Sequence, residues 1–218
     1  MISHYIDIAV DDHLDATSLF ARLIYRIHGY CKARQDAQLA IDLPNWQPPQ
    51  KMMAAKAGNT LRVLGTDASL GDLLLKTGFM QFLIEGGIAF MGVRKIPDHT
   101  HRFARVSRNY RIERYTQLLA DHTQIHFDRV DESDIPAHIK EVAGETNMAP
   151  ALLFTMERLM QTLHADKKSS VAMRMQSEST GKPFTMNLGR ETVEKCEAVA
   201  GHFSTYGFSV EGACVPSW

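Results

Sequence analysis

His4-Tyr5-Ile6-Asp7-Ile8-Ala9-Val10 decides how the first half of the chain is read. Large and polar side chains alternate along it, the period of a half-buried strand, until Asp11-Asp12 breaks the pattern. From Thr17 the period changes. Leu19, Phe20, Leu23, Ile24, Ile27 and Cys31 recur at helical spacing, with Asp15 or Thr17 as the N-cap. Residues 38–43 (QLAIDL) make a second strand, Pro44 to Lys51 a loop, and residues 59–65 (NTLRVLG) a third strand. A second helix runs from Asp67 through Leu70, Leu73, Leu74 and Phe79, and Gly86-Gly87 leads into a fourth strand over 88–93. The order β-α-β-β-α-β over residues 1–95 is the split βαβ unit, an antiparallel four-stranded sheet with both helices on one face. The expected class is therefore α+β, with an N-terminal ferredoxin-like domain. That fold serves enzymes, metal carriers, ligand sensors and RNA binders alike, so it leaves function open.

Residues 96–101 (IPDHTH) read as a junction, and 96–218 as an irregular α+β domain. Leu152, Met156, Leu159, Met160 and Leu163 share one helical face. A strand follows over 171–175, and Ser179-Thr180-Gly181-Lys182 turns the chain into another over 183–188. The chain has 218 residues, 44% of them apolar and 22% charged, and 24 Lys and Arg balance 25 Asp and Glu to a net charge of −1. Bulk charge thus points to neither nucleic acid nor membrane. The opening lacks the basic-then-apolar pattern of a signal peptide. The most apolar window, Leu73 to Val93, is interrupted by Lys76, Gln81, Glu85 and Gly86-Gly87, too polar for a bilayer. Cys31, Cys196 and Cys214 are odd in number and far apart, which argues against a disulfide framework and suits a reducing, cytoplasmic setting.

Local charge is more informative. Arg102, Arg105, Arg108, Arg111 and Arg114 recur every third residue, and between Arg94 and Arg114 seven Lys and Arg face only Asp98 and Glu113, a balance of +5. Guanidinium groups at even spacing can follow a phosphate backbone and fork onto guanine edges; a solvated helix face laced with ion pairs is the bland alternative. His28 falls at the edge of the apolar face of the first helix, beside Gly29, where an imidazole near its neutral pKa could act as acid or base. The aromatic and glycine-rich ending, 203–209 (FSTYGFS) and 212–218 (GACVPSW), reads as a docked end rather than a frayed one. Asp98-His99-x-His101 could ligate a metal but has no acidic cluster beside it, so neither metal nor cofactor is expected.

Taken in order, the opening HYIDIAV, Tyr25-Arg26-Ile27-His28-Gly29, Arg105-Val106-Ser107-Arg108, Ser177-Glu178-Ser179-Thr180-Gly181 through Phe184, and FSTYGFS…VPSW resemble the type I-F group of CRISPR repeat endoribonucleases over essentially the whole chain. That resemblance implies His28 as the catalytic histidine, Ser177 as the residue holding the ribose, Ser179 as a nearby hydroxyl for the phosphate and Tyr206 as the orienter of His28. It implies Phe184 stacking on the closing base pair of an RNA hairpin and Arg108 reading a guanine; Arg102, Arg105, Arg111 and Arg114 are RNA contacts by the spacing and local charge of the series. It also implies the partners: the CRISPR repeat hairpin and other subunits of a type I-F effector complex, with no membrane. The chain departs from the pattern in three places. Its helix after Arg108 keeps only Arg111 and Arg114, Tyr110 replaces a base-reading glutamine, and the 125–170 region is longer. A non-cleaving RNA-binding subunit and a small-ligand sensor are the competing readings.

Overall fold

The computed structural model describes residues 2–34, 38–76, 78–100, 102–127, 129–196 and 202–218. Strand β1 (His4–Ala9) pairs antiparallel along its length with β3 (Thr60–Gly65), Asp7 opposite Arg62. Strand β2 (Ala40–Asp42) pairs with the far side of β3, and β4 (Ala89–Phe90) and β5 (Arg94–Lys95) both pair with β1. The sheet order β2-β3-β1-β4, with every neighbour antiparallel, is that of the split βαβ unit expected from the sequence. Helices α1 (Ala16–Ala33) and α2 (Asp67–Lys76) form its two crossovers. Asp15 caps α1, its carboxylate accepting from the N–H groups of Thr17 and Ser18. Side by side, the helices are joined where Tyr30 donates to the Ser69 carbonyl and to Asp72, and where Arg34 pairs with Asp72 at 3.0 Å.

Two expectations for this half need correction. The second helix does not continue into Phe79: α3 (Phe79–Glu85) starts afresh after Gly78, whose φ of 61° is left-handed and breaks the helix. Nor is there one fourth strand over 88–93. From Ile8 to Tyr5 the register advances three residues on β1 but four on the partner, from Phe90 to Arg94, so one extra residue splits the edge into β4 and β5 as a bulge does.

A second antiparallel sheet, in the order β7-β8-β6-β9, is built from β6 (Arg102–Arg108), β7 (Val171–Gln176), β8 (Pro183–Val193) and β9 (Val215–Ser217). The chain forms two compact units, Met1–Arg108 with Ser170–Trp218, and Asn109–Ser169. The division expected between 95 and 96 falls between the two sheets, and both sheets belong to the first unit. In the second unit, α4 (Tyr110–Ala120) and α5 (Ala137–Thr146) accompany α6 (Pro150–Lys168). Among the described residues, no helix is long and apolar enough to cross a membrane.

Within the first unit, α1 supplies Phe20, Leu23, Ile24 and Ile27 to a core shared by Ile6, Ile8, Leu61 and Val63 of the first sheet and Met173, Met175 and Met186 of the second. Each such burial contributes about 1.5–3 kcal/mol before conformational entropy is counted. The other face of the first sheet is buried too: Tyr5, Ala40 and Leu64 pack on Ala104 and Val215. Strand β9 closes this contact and docks the chain end, with the Arg62 guanidinium 3.8 Å from the Trp218 ring centroid.

Cys196 and Cys214 are joined by a disulfide, their Cα atoms 6.1 Å apart, contrary to the expectation from their spacing. Cys196 lies three residues past the end of β8 and Cys214 just before β9, the two strands that flank β6.

The sheets are also tied by charge. Asp42 of β2 has no solvent exposure, and Arg190 of β8 grips it with Nε 2.7 Å from Oδ1 and Nη2 3.2 Å from Oδ2. Ser217 donates to the same carboxylate and accepts from Arg190 at 2.8 Å. Removing Arg190 strands a buried charge, which costs about 3–5 kcal/mol. Chemical denaturation of Arg190→Ala should show a loss of that size, whereas Lys95→Ala, which breaks the exposed pair with Asp98, should leave the midpoint nearly unchanged.

Candidate active site

Helix α1 carries His28 at a position where its side chain is 14% exposed, about a quarter turn from the centre of the buried face. What holds the imidazole comes from far along the chain. The Tyr206 ring lies flat on it, centroids 3.9 Å apart and planes 2° from parallel, and Phe208 continues the stack at 5.8 Å. Nδ1 is 2.8 Å from Thr205 Oγ1. This tail segment is seated on β2 by the Ile41 N–H donating to the Gly207 carbonyl at 3.0 Å. Gly207 has φ of +79°, and a Cβ there would come within 2.9 Å of Ile41, so glycine is needed twice over. One imidazole nitrogen is thus tied to the protein, and the other, Nε2, faces a cleft of about 420 Å³.

Across the cleft, the turn between β7 and β8 presents hydroxyl groups. Gly181 N–H donates to the Ser177 carbonyl, Ser177 N–H to the Lys182 carbonyl, and Gly181 takes the positive φ that closes the turn. Ser177 and Ser179 hydroxyls are 3.2 Å apart, and Thr180 N–H donates to Ser177 Oγ. Glu178 reaches back towards α1, its Oε2 3.7 Å from His28 Nε2 and 2.8 Å from Lys32 Nζ. Phe184 and Arg108 line the same cleft, the guanidinium 5.8 Å from the ring centroid.

His28, Ser177, Ser179, Phe184, Tyr206 and Arg108 therefore meet in one cleft. The other four arginines do not line it. Arg102, Arg105 and Arg108 lie on β6, where a spacing of three alternates faces, so Arg105 points away from the other two. Its Nε is buried without a hydrogen-bond partner among the described residues. Arg111 and Arg114 belong to α4 in the second unit, and Arg111 is paired with Asp166 at 2.9 Å. The even series in the sequence is thus not one surface. Of the candidate metal ligands, Asp98 is paired with Lys95 and His101 lies outside the described residues. Three further groups join the cleft or its histidine without having been singled out: Lys32, Glu178 and Thr205. The clues were positional. Lys32 follows His28 by four residues on a helix, Glu178 sits inside the Ser-Glu-Ser motif, and Thr205 precedes Tyr206.

Burial lowers the His28 pKa from its ordinary value of 6.5; Glu178 opposes this and Lys32 adds to it. Burial also raises the Tyr206 pKa, so its hydroxyl keeps its proton. Hydrogen bonding from Lys32 holds Glu178 ionised to lower pH. At neutral pH the cleft thus offers a largely neutral imidazole with a free nitrogen, converging hydroxyls, and cations from Lys32, Arg108 and Lys182 against one carboxylate. Such a set can move a proton beside a bound phosphate.

The family model described as CRISPR-associated protein (Cas_Csy4) matches residues 5–218. No match is found among curated proteins. Among solved structures, the chain is similar to the CRISPR endoribonuclease Cse3 bound to a 19 nt RNA, at 10% identity over 100% of each chain and with a TM-score of 0.36, a likeness too low to bear on residues.

The His28 titration midpoint, followed by NMR, should lie below 6.5, and Glu178→Gln should lower it further by removing the charge that favours the imidazolium. A folded value below the unfolded one means that the unfolded chain takes up the proton first as pH falls. His28 therefore contributes stability in full above about pH 6.5, and that contribution is lost as pH falls through the folded midpoint.

Proposed function

From the premise that the chain belongs to the CRISPR-associated Cas_Csy4 family, we propose that it is a CRISPR endoribonuclease that binds a repeat hairpin in precursor CRISPR RNA and cuts once at its base, without a metal. The observation that carries this reading is the His28 cradle: one nitrogen tied to Thr205, the ring stacked on Tyr206, and the other nitrogen facing the hydroxyls of the Ser177 turn. With Nδ1 donating to Thr205, Nε2 keeps its lone pair and takes the proton of a ribose 2′-hydroxyl. The 2′-oxygen then bonds to the adjacent phosphorus, the bond to the 5′-oxygen breaks, and that oxygen leaves with a proton from water. The products are a 2′,3′-cyclic phosphate and a 5′-hydroxyl. Ser177 holds the ribose and Ser179 the phosphate; positioning of this kind lowers the barrier without either exchanging a proton.

Phe184 stacks on the closing base pair and Arg108, beside it, reads a guanine edge. Arg102, on the same face of β6, contacts the stem phosphates, and Arg105, Arg111 and Arg114 add to the attraction for RNA. The cut hairpin stays bound, and the protein acts as a cytoplasmic subunit of a type I-F interference complex.

Two measurements test this on the repeat RNA of the genome that encodes the chain. His28→Ala should slow single-turnover cleavage about 10²–10⁴-fold while hairpin affinity stays within a few-fold. A single 2′-deoxy substitution 5′ of the cut should abolish cleavage by the unaltered protein. Normal cutting of the deoxy RNA, or by His28→Ala, would contradict the mechanism; hairpin binding without any cutting would favour a non-cleaving subunit.

A further inference from the structure

A second cleft, of about 610 Å³, opens beside the His28 cleft and has no part in the chemistry above. Pro183 lines both, so the two adjoin. One wall is α1, which contributes Arg22, Tyr25 and Arg26; the other is β7, the edge strand of its sheet, which contributes Arg174 and Gln176. On a helix turning 100° per residue, Arg22, Tyr25, Gly29, Lys32 and His28 form one stripe, with Arg22 about 9 Å along the axis from His28. A Cβ at Gly29 would meet nothing within 4 Å, so nothing obstructs this stripe there.

The chemistry along the stripe suits a single-stranded polyanion. Arg22 and Arg174 are exposed, and neither takes part in an ion pair among the described residues. Arg22 and Arg26 lay their guanidinium groups against Phe82, 4.5 and 4.7 Å from its centroid. For Arg22, stacking occupies the face of the guanidinium and leaves its in-plane N–H groups for phosphate. Tyr25, 37% exposed, offers a ring on which a base can stack whatever its identity.

We propose that this cleft binds the single-stranded RNA that continues 3′ of the cut, the strand that leaves with the 5′-hydroxyl; the inference rests on the endoribonuclease reading. In that reading the hairpin lies 5′ of the cut, so the strand beyond His28 is the 3′ one. Arg108 and Phe184, the hairpin contacts, sit on β6 and β8, inboard in the sheet, whereas the second cleft lies outboard at β7, beyond the Ser177 turn. A strand leaving the hairpin and crossing His28 enters this cleft next. It would hold the scissile phosphate from both sides.

The test is a set of repeat hairpins carrying a 2′-deoxy nucleotide at the cut so that they stay intact: one ending at the cut, one with a short 3′ single-stranded tail, and one with a 5′ tail. The 3′ tail should tighten binding to the unaltered protein about tenfold at low salt. Arg22→Gln with Arg174→Gln should lose that gain and reduce the salt slope by about 1.4, two phosphates at about 0.7 each. Tyr25→Ala, which alters no charge, should lose part of the gain. The tail-free hairpin is the internal reference for folding and for the hairpin grip. A 3′ tail that adds nothing, a gain that survives in the double variant, or a gain from the 5′ tail instead overturns the inference while leaving hairpin cleavage standing. An unaltered protein that binds none of the hairpins overturns the endoribonuclease reading and this inference with it.

Discussion

A carboxylate with no access to water must be paired, and Asp42 is paired with Arg190 across two sheets. Ser217 completes the arrangement from the last strand, so the first sheet, the second sheet and the chain end meet at one buried charge. Geometry matters more here than net energy. A buried ion pair adds little over a well-packed apolar one, but it tolerates little misalignment, because a shifted partner leaves a charge unsolvated. Strand β2 is thereby fixed relative to β8 and β9.

The arrangement around His28 depends on that joint. Residues 204–208 are seated on β2 through Gly207 and Ile41, and from there Thr205 and Tyr206 reach His28. Helix α1 is clamped between the β-sheets by Phe20, Leu23, Ile24 and Ile27, which leaves His28 at the rim of the core with one ring face covered by Tyr206 and Nδ1 held by Thr205. The opposing hydroxyls come from the β7–β8 turn, and β7 packs on α1. Each part of the cleft is thus carried by a regular element or a turn braced by its own backbone bonds, the condition for positioning to contribute to rate.

Much of this was legible in the residues. Alternation in HYIDIAV and the spacing of Leu23, Ile27 and Cys31 report burial by one core, and burial is what sequence periodicity records. His28 and the Ser177 motif were readable through resemblance, and the structure puts them in one cleft. Other features depend on pairing that no local pattern encodes. The Cys196–Cys214 disulfide joins segments next to β8 and β9, strands that become neighbours of β6 only in the folded sheet. The arginine series is continuous in spacing alone, because spacing does not encode that residues 102–108 form a strand and 110–120 a helix. Thr205 was hidden for the same reason: its value lies in a contact with a residue 177 positions away.

The cleft sets a largely neutral imidazole near Lys32, Arg108 and Lys182, with one carboxylate, Glu178, already paired with Lys32, which suits the proposed proton transfer at a phosphate. The most direct test is mass spectrometry of the 3′ end of the hairpin fragment produced in excess EDTA. The account predicts cleavage at a single site leaving a 2′,3′-cyclic phosphate; a 3′-hydroxyl end, or no cleavage until a divalent cation is restored, would contradict it.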